Sequence, residues 1–128
     1  MKKDLRFIQE KISAIQFGIL RTKDAEGNHA WQVKTDPNEE TSFHCVITDD
    51  RPCEQLVNTK VNLVQKHNDD YLYITGRVSA EADKKTKVLS IDILRACWFV
   101  RQSKGSISWL KQKYLYENYT VDDMEMAS

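Results

Sequence analysis

The residues best suited to chemistry are Thr48 and Arg51, with Lys34 as a second cation from the preceding strand. An alternating strand ending at Thr48 runs into Asp49-Asp50-Arg51-Pro52, and a brief helix begins there. A guanidinium makes a forked contact to phosphate, a hydroxyl makes a single contact, and a helix N-terminus adds unpaired N–H groups. The chemistry this implies is phosphate binding rather than bond making. Asp49, Asp50 and Glu54 crowd the same turn and repel a dianion unless their carboxylates turn away. The same residues also describe a plain turn, in which Asp49 or Asp50 caps the helix and Arg51 is a solvated side chain.

Other reactive types form no pattern. Cys45, Cys53 and Cys97 make neither a disulfide framework nor a C-x-x-C. Cys45 and Cys97 lie among apolar residues and read as small core side chains. Cys53, at the start of the brief helix, reads as an inert thiol, with a lowered thiol pKa at a helix start as the alternative. His29, His44 and His67 stand too far apart for a metal-binding motif. No G-x-S-x-G elbow, G-x-G-x-x-G or P-loop occurs, so no catalytic acid, base or nucleophile can be named. Three tryptophans and five tyrosines offer stacking surfaces for bases. Lys plus Arg equals Asp plus Glu at 19 each, however, and that balance argues for packing over nucleic acid.

The elements that must position Thr48 and Arg51 follow from periodicity. Leu5, Ile8, Ile12 and Ile15 recur at helical spacing, which predicts a helix laid over a sheet. Gly18 to Thr22 reads as a strand, and Asp24-Ala25-Glu26-Gly27-Asn28 as the hairpin turn into His29–Val33. Residues 35–41 read as a polar connection. Phe43, Cys45 and Ile47 then share the core face of a third strand. Pro52 suits the first turn of a helix of about two turns through Val57. Residues 60–66 and 71–80 are strands joined by a tight polar turn, and 88–100 gives one or two more, broken near Leu94-Arg95-Ala96. Residues 109–119 fit a helix and a strand almost equally, and 121–128 reads as a flexible tail.

Five or six strands with short connections close most economically into a barrel, because closure removes exposed edges. The expectation is therefore a mainly β protein, a small antiparallel barrel with a few flanking helices. One domain over residues 1–120 suits a chain of 128 residues. No stretch approaches the about 20 apolar residues of a membrane span, and the N-terminus lacks an apolar signal core, so a cytosolic protein without membrane or nucleic-acid partners is expected.

The order of these segments resembles the flavin-binding split barrels of the pyridoxamine 5'-phosphate oxidase-like superfamily, especially the short general-stress-protein type. The resemblance covers about Leu5 to Phe99. It rests on Phe17-Gly18-Ile19-Leu20-Arg21-Thr22 before Asp24-Ala25-Glu26-Gly27, on residues 43–48, and on Leu56-Val57-Asn58-Thr59-Lys60-Val61-Asn62-Leu63-Val64. It continues through residues 71–80 and Ala96-Cys97-Trp98-Phe99. The resemblance implies a homodimer with FMN at its interface. It implies cofactor contacts from Gln32, Val33 and Lys34 on the second strand, from Ile47 and Thr48 at the end of the third, and from Arg51, where a phosphate-binding lysine is common. Gln32 replaces a frequent arginine, the turn before Arg51 is shorter than usual, and Asp49 and Asp50 replace serines. Two functions follow as expectations: an FMN-dependent oxidoreductase acting on an unassigned small molecule, or a non-catalytic dimeric barrel that binds another ligand or none.

Overall fold

The computed structural model describes residues 5–24, 26–48 and 50–118. These residues form one α-helix, α1 (Arg6–Ile15), and seven strands. These are β1 (Phe17–Asp24), β2 (Gly27–Pro37), β3 (Ser42–Ile47), β4 (Lys60–His67), β5 (Asp70–Asp83), β6 (Val88–Lys104) and β7 (Ile107–Glu117). All pairings are antiparallel, in the order β3-β2-β1-β4-β5-β6-β7, and β3 also pairs with β6. That last pairing closes six strands into a barrel, with β7 as an extra strand on β6. Because β4 returns to lie beside β1 after the run β1-β2-β3, the first four strands make a Greek key. The mainly β, closed antiparallel barrel expected from the sequence is the fold observed.

Alternation along each strand fills the barrel. Leu20, Val33, Phe43, Cys45, Leu63, Leu72, Ile74, Leu89 and Ile91 form its interior, all essentially without solvent access. At the end where β2 stops and β3 starts, α1 lays Leu5, Ile8 and Ile12 on the core. The Gln9 side-chain amide holds it there by donating to the carbonyls of Glu39, Glu40 and Ser42. At the opposite end Trp31, Cys53 and Leu56 complete the core.

Several local expectations are corrected. The helix predicted after Pro52 is a single 3-10 turn, Glu54–Leu56, preceded by Cys53 with no side-chain cap. One turn aligns too few peptide units to offer a helix-terminus anion site. Strand β2 continues through Pro37 instead of ending near Val33, since proline at a strand's last residue is tolerated. Strand β6 is continuous, and the predicted break is a β-bulge: Thr75 faces Arg95 and Gly76 faces Ile93, so Leu94 is the extra residue. A Cβ on Gly76 would lie 2.6 Å from Ile91 Cγ2 and 2.7 Å from the Asp92 carbonyl oxygen, so only glycine lets β5 close onto β6 here. Residues 107–117 resolve the helix-or-strand ambiguity as strand β7. The tail expected at 121–128 lies outside the described residues.

Candidate functional site

Odd-numbered residues of β1 and even-numbered residues of β2 and β4 point away from the barrel core, and pairing sets them in rows. One row reads Ala30, Arg21, Asn62, Thr75 across β2, β1, β4 and β5. The next reads Gln32, Ile19, Val64, Tyr73, and below it Lys34 faces Phe17 while Lys66 faces Tyr71. The result is an outer face with an apolar stripe, Phe17, Ile19 and Val64, bordered by cations. Phe17 is 61% exposed, an unusual state for a phenylalanine on a sheet.

A groove of about 570 Å³ runs over this stripe, lined by Phe17, Gly18, Ile19, Gln32, Val33, Thr48, Val64 and Lys66. Its floor rests on a buried polar link. Gln65, fully buried, donates from Nε2 to Thr35 Oγ1 at 2.9 Å and to the Phe17 carbonyl at 3.2 Å. Gly18 makes room for that link, since a Cβ there would sit 2.7 Å from Gln65 Cγ. Thr35 Oγ1 in turn lies 3.2 Å from the Gln16 carbonyl at the end of α1, which ties helix, β2 and β4 together beneath the groove.

Three of the six residues nominated from the sequence, Gln32, Val33 and Thr48, meet in this groove. Val33 has its side chain in the core, so it faces the groove with its main chain alone. Thr48 bonds the Gln32 carbonyl twice, through its N–H at 3.1 Å and its hydroxyl at 2.9 Å. Ile47 is buried on the core face and supports the groove from inside. Lys34 is exposed on the outer face beside Phe17.

Arg51 lies elsewhere. Its guanidinium sits 4.0 Å from the centre of the Trp31 ring and donates to the Ala30 carbonyl. It lines a smaller pocket of about 240 Å³ at the barrel end, with Thr22, His29, Trp31, Gln55 and Thr59 among its neighbours. Trp31 is fixed there by donating from Nε1 to Thr22 Oγ1 at 2.9 Å. Arg51 and Thr48 thus both bond main-chain carbonyls of β2, and they do not share a pocket.

Sequence reasoning missed Phe17, Gly18, Ile19, Val64 and Lys66 as lining residues. The available signal was a pair of apolar residues, Phe17 and Ile19, at the first two outward positions of β1. A second groove of about 540 Å³ adjoins the first on the same face, lined by Arg21, Thr22, Lys23, Asn28, His29, Ala30, Lys60, Asn62 and Tyr73.

The thiols lie apart from both grooves. Cys45, Cys53 and Cys97 are free and buried, as expected for Cys45 and Cys97. The alternative of a lowered pKa at Cys53 is excluded. Burial pushes its thiol up, and Glu81 and Glu54 add to this, Glu81 also accepting from the Sγ at 3.8 Å. Burial likewise raises Cys45 and Cys97. Among the described residues no group of three or more His, Cys, Asp and Glu is arranged to hold a metal ion, and no helix is long and apolar enough to cross a membrane. Comparison with protein-family models, curated proteins and solved structures finds no match for this chain.

Proposed function

We propose that the protein is a cytosolic FMN-binding flavoprotein, an oxidoreductase that works as a homodimer, with the flavin ring lying over the apolar stripe of the outer face. The observation that carries this reading is the convergence of Gln32, Val33 and Thr48 with Phe17, Ile19 and Val64 on one groove. A groove of this size, apolar with few polar groups, suits a flat heteroaromatic ring. The Gln32 side-chain amide offers hydrogen bonds at its edge. Thr48 holds the Gln32 carbonyl in place, and Lys34 sits at the lower border.

The groove is open to solvent on one side. Small-molecule sites normally bury most of their ligand, so a second copy of the chain would supply the missing wall and cover Phe17. A bound flavin would supply the hydride or electron transfer. The chain's own part is to bind, orient and exclude water, because among the described residues no lining residue of the groove is a carboxylate, histidine or cysteine.

That same lack of an acid–base group, together with the placement of Arg51 in a separate pocket, favours the second reading: a non-catalytic dimeric barrel for another small ligand. Titration of the purified protein with FMN, followed by quenching of flavin fluorescence and combined with mass measurement in solution, separates the two. Saturable binding at micromolar or tighter affinity by a dimer is the expected result. Absence of binding would leave the second reading, and a monomer at micromolar concentration would remove the shared groove.

A further inference from the structure

The groove beside the apolar stripe has the chemistry of an anion site. Arg21 and Lys23 project from β1, Lys60 from β4, and the amides of Asn28 and Asn62 with the Tyr73 ring complete the lining. No carboxylate lines it among the described residues. Arg21, Lys23 and Lys60 are exposed and form no ion pair among those residues. In a chain whose positive and negative side chains balance at 19 each, three cations lining one groove are a local surplus. Guanidinium and ammonium groups only donate, so the matching ligand carries several acceptor oxygens.

We propose that Arg21, Lys23 and Lys60 hold the phosphate of a small ligand whose uncharged, planar part covers Phe17, Ile19 and Val64 in the adjoining groove. The two halves are joined by β1 itself. Ile19 and Arg21 point to the same side two residues apart, about 7 Å along the strand, a separation that a short polyol chain can bridge. The sequence-nominated alternative is already engaged: Arg51 is stacked on Trp31 and bonded to Ala30, and the Thr48 hydroxyl is bonded to Gln32. A polynucleotide is the poorer fit, since the groove is short and the chain as a whole carries no excess positive charge.

With FMN as the ligand, this inference rests on the flavoprotein reading, so the test carries a probe that does not. Affinities for FMN and for riboflavin, which lacks the phosphate, are compared in the wild-type chain, in an Arg21→Gln/Lys60→Gln variant and in Arg51→Gln. Melting curves check that each variant folds. The wild type is expected to prefer FMN over riboflavin by about tenfold or more, the scale of one charge-assisted hydrogen bond. The double variant is expected to lose that preference while keeping its riboflavin affinity. Retention of the preference in the double variant, with loss in Arg51→Gln, overturns the assignment and returns the phosphate to the turn.

In parallel, inorganic pyrophosphate is titrated while backbone amide resonances are followed. Saturable shifts confined to Arg21, Lys23, Lys60 and their strand neighbours support the anion site even where neither flavin binds, in which case the flavoprotein reading alone fails. Absent shifts, or shifts spread equally over all surface lysines, remove the site whatever the flavins do.

Discussion

Replacing Thr35 by valine removes one hydroxyl from the dry layer beneath the groove, and its cost can be worked from the hydrogen bonds around it. Gln65 Nε2 has two acceptors, Thr35 Oγ1 and the Phe17 carbonyl, and neither Gln65 nor Thr35 has solvent access. Valine leaves Nε2 with the Phe17 carbonyl alone, while the Gln16 and Ile12 carbonyls, which the hydroxyl also reaches, keep the N–H groups of Thr35 and Gln16. Losing one bond in a site that water cannot reach costs about 1–2 kcal/mol, near the lower end for a buried polar group because the donor retains a partner. For a chain of this length that lowers Tm by about 3–10 °C. Gln65→Leu costs less, about 1 kcal/mol or under, since it also removes Oε1, which is buried and has no hydrogen-bond partner.

The pair is more informative than either change alone. In Thr35→Val/Gln65→Leu both members of the bond are apolar and no carboxamide is stranded, so the double variant should be about as stable as Gln65→Leu by itself. The expected coupling is about 1 kcal/mol or more, read from urea midpoints at constant m. Losses that add to within about 0.5 kcal/mol would falsify the buried link, and with it the claim that this layer fixes the groove floor.

Two further outcomes follow from the titrating groups. Cys53 should alkylate with iodoacetamide far more slowly in the folded chain than in denaturant, and Glu81→Gln should move the pH midpoint of its labelling downward, because Glu81 raises that thiol by charge and by hydrogen bond. An unmoved midpoint would leave burial and Glu54 as the causes. Asp92 is raised by burial and then by Glu39, so the folded chain holds its proton more tightly than the unfolded chain. Stability from this group is therefore present in acid and is lost as pH rises through the folded pKa. Asp92→Asn should raise Tm at neutral pH, with the gain vanishing below the ordinary carboxylate range; a gain constant with pH would contradict the assignment.

How much of this was legible in the sequence depended on whether an element buries one face against its neighbours. Leu5, Ile8 and Ile12 repeat at helical spacing because α1 packs on the core, and Phe43, Cys45 and Ile47 alternate because β3 is half buried. Strand β7 has no such signature. Among the described residues it pairs only with β6, and at Ile107, Trp109 and Leu110 it carries large apolar side chains exposed to solvent, so neither period is enforced. The break read near Leu94 reflected a real irregularity of another kind: a bulge keeps the strand going, and its partner Gly76 is far away in sequence.

The site was harder to read because it is made by register rather than by adjacency. Thr48 and Arg51 are close in sequence, yet they bond carbonyls two residues apart on β2 and line different pockets. Conversely Arg21 and Asn62, or Ile19 and Val64, are about forty residues apart and become neighbours only because the Greek key lays β4 against β1. That seam is short, running over Ile19–Arg21 alone, and both grooves straddle it. A one-residue slip there would turn Ile19 and Arg21 inward and bring Leu20 out. The core position of Leu20 therefore holds the register on which the outer face depends. The hydrophobic core and the candidate site are in this sense one constraint: the residues that fill the barrel decide which cations stand beside the apolar stripe.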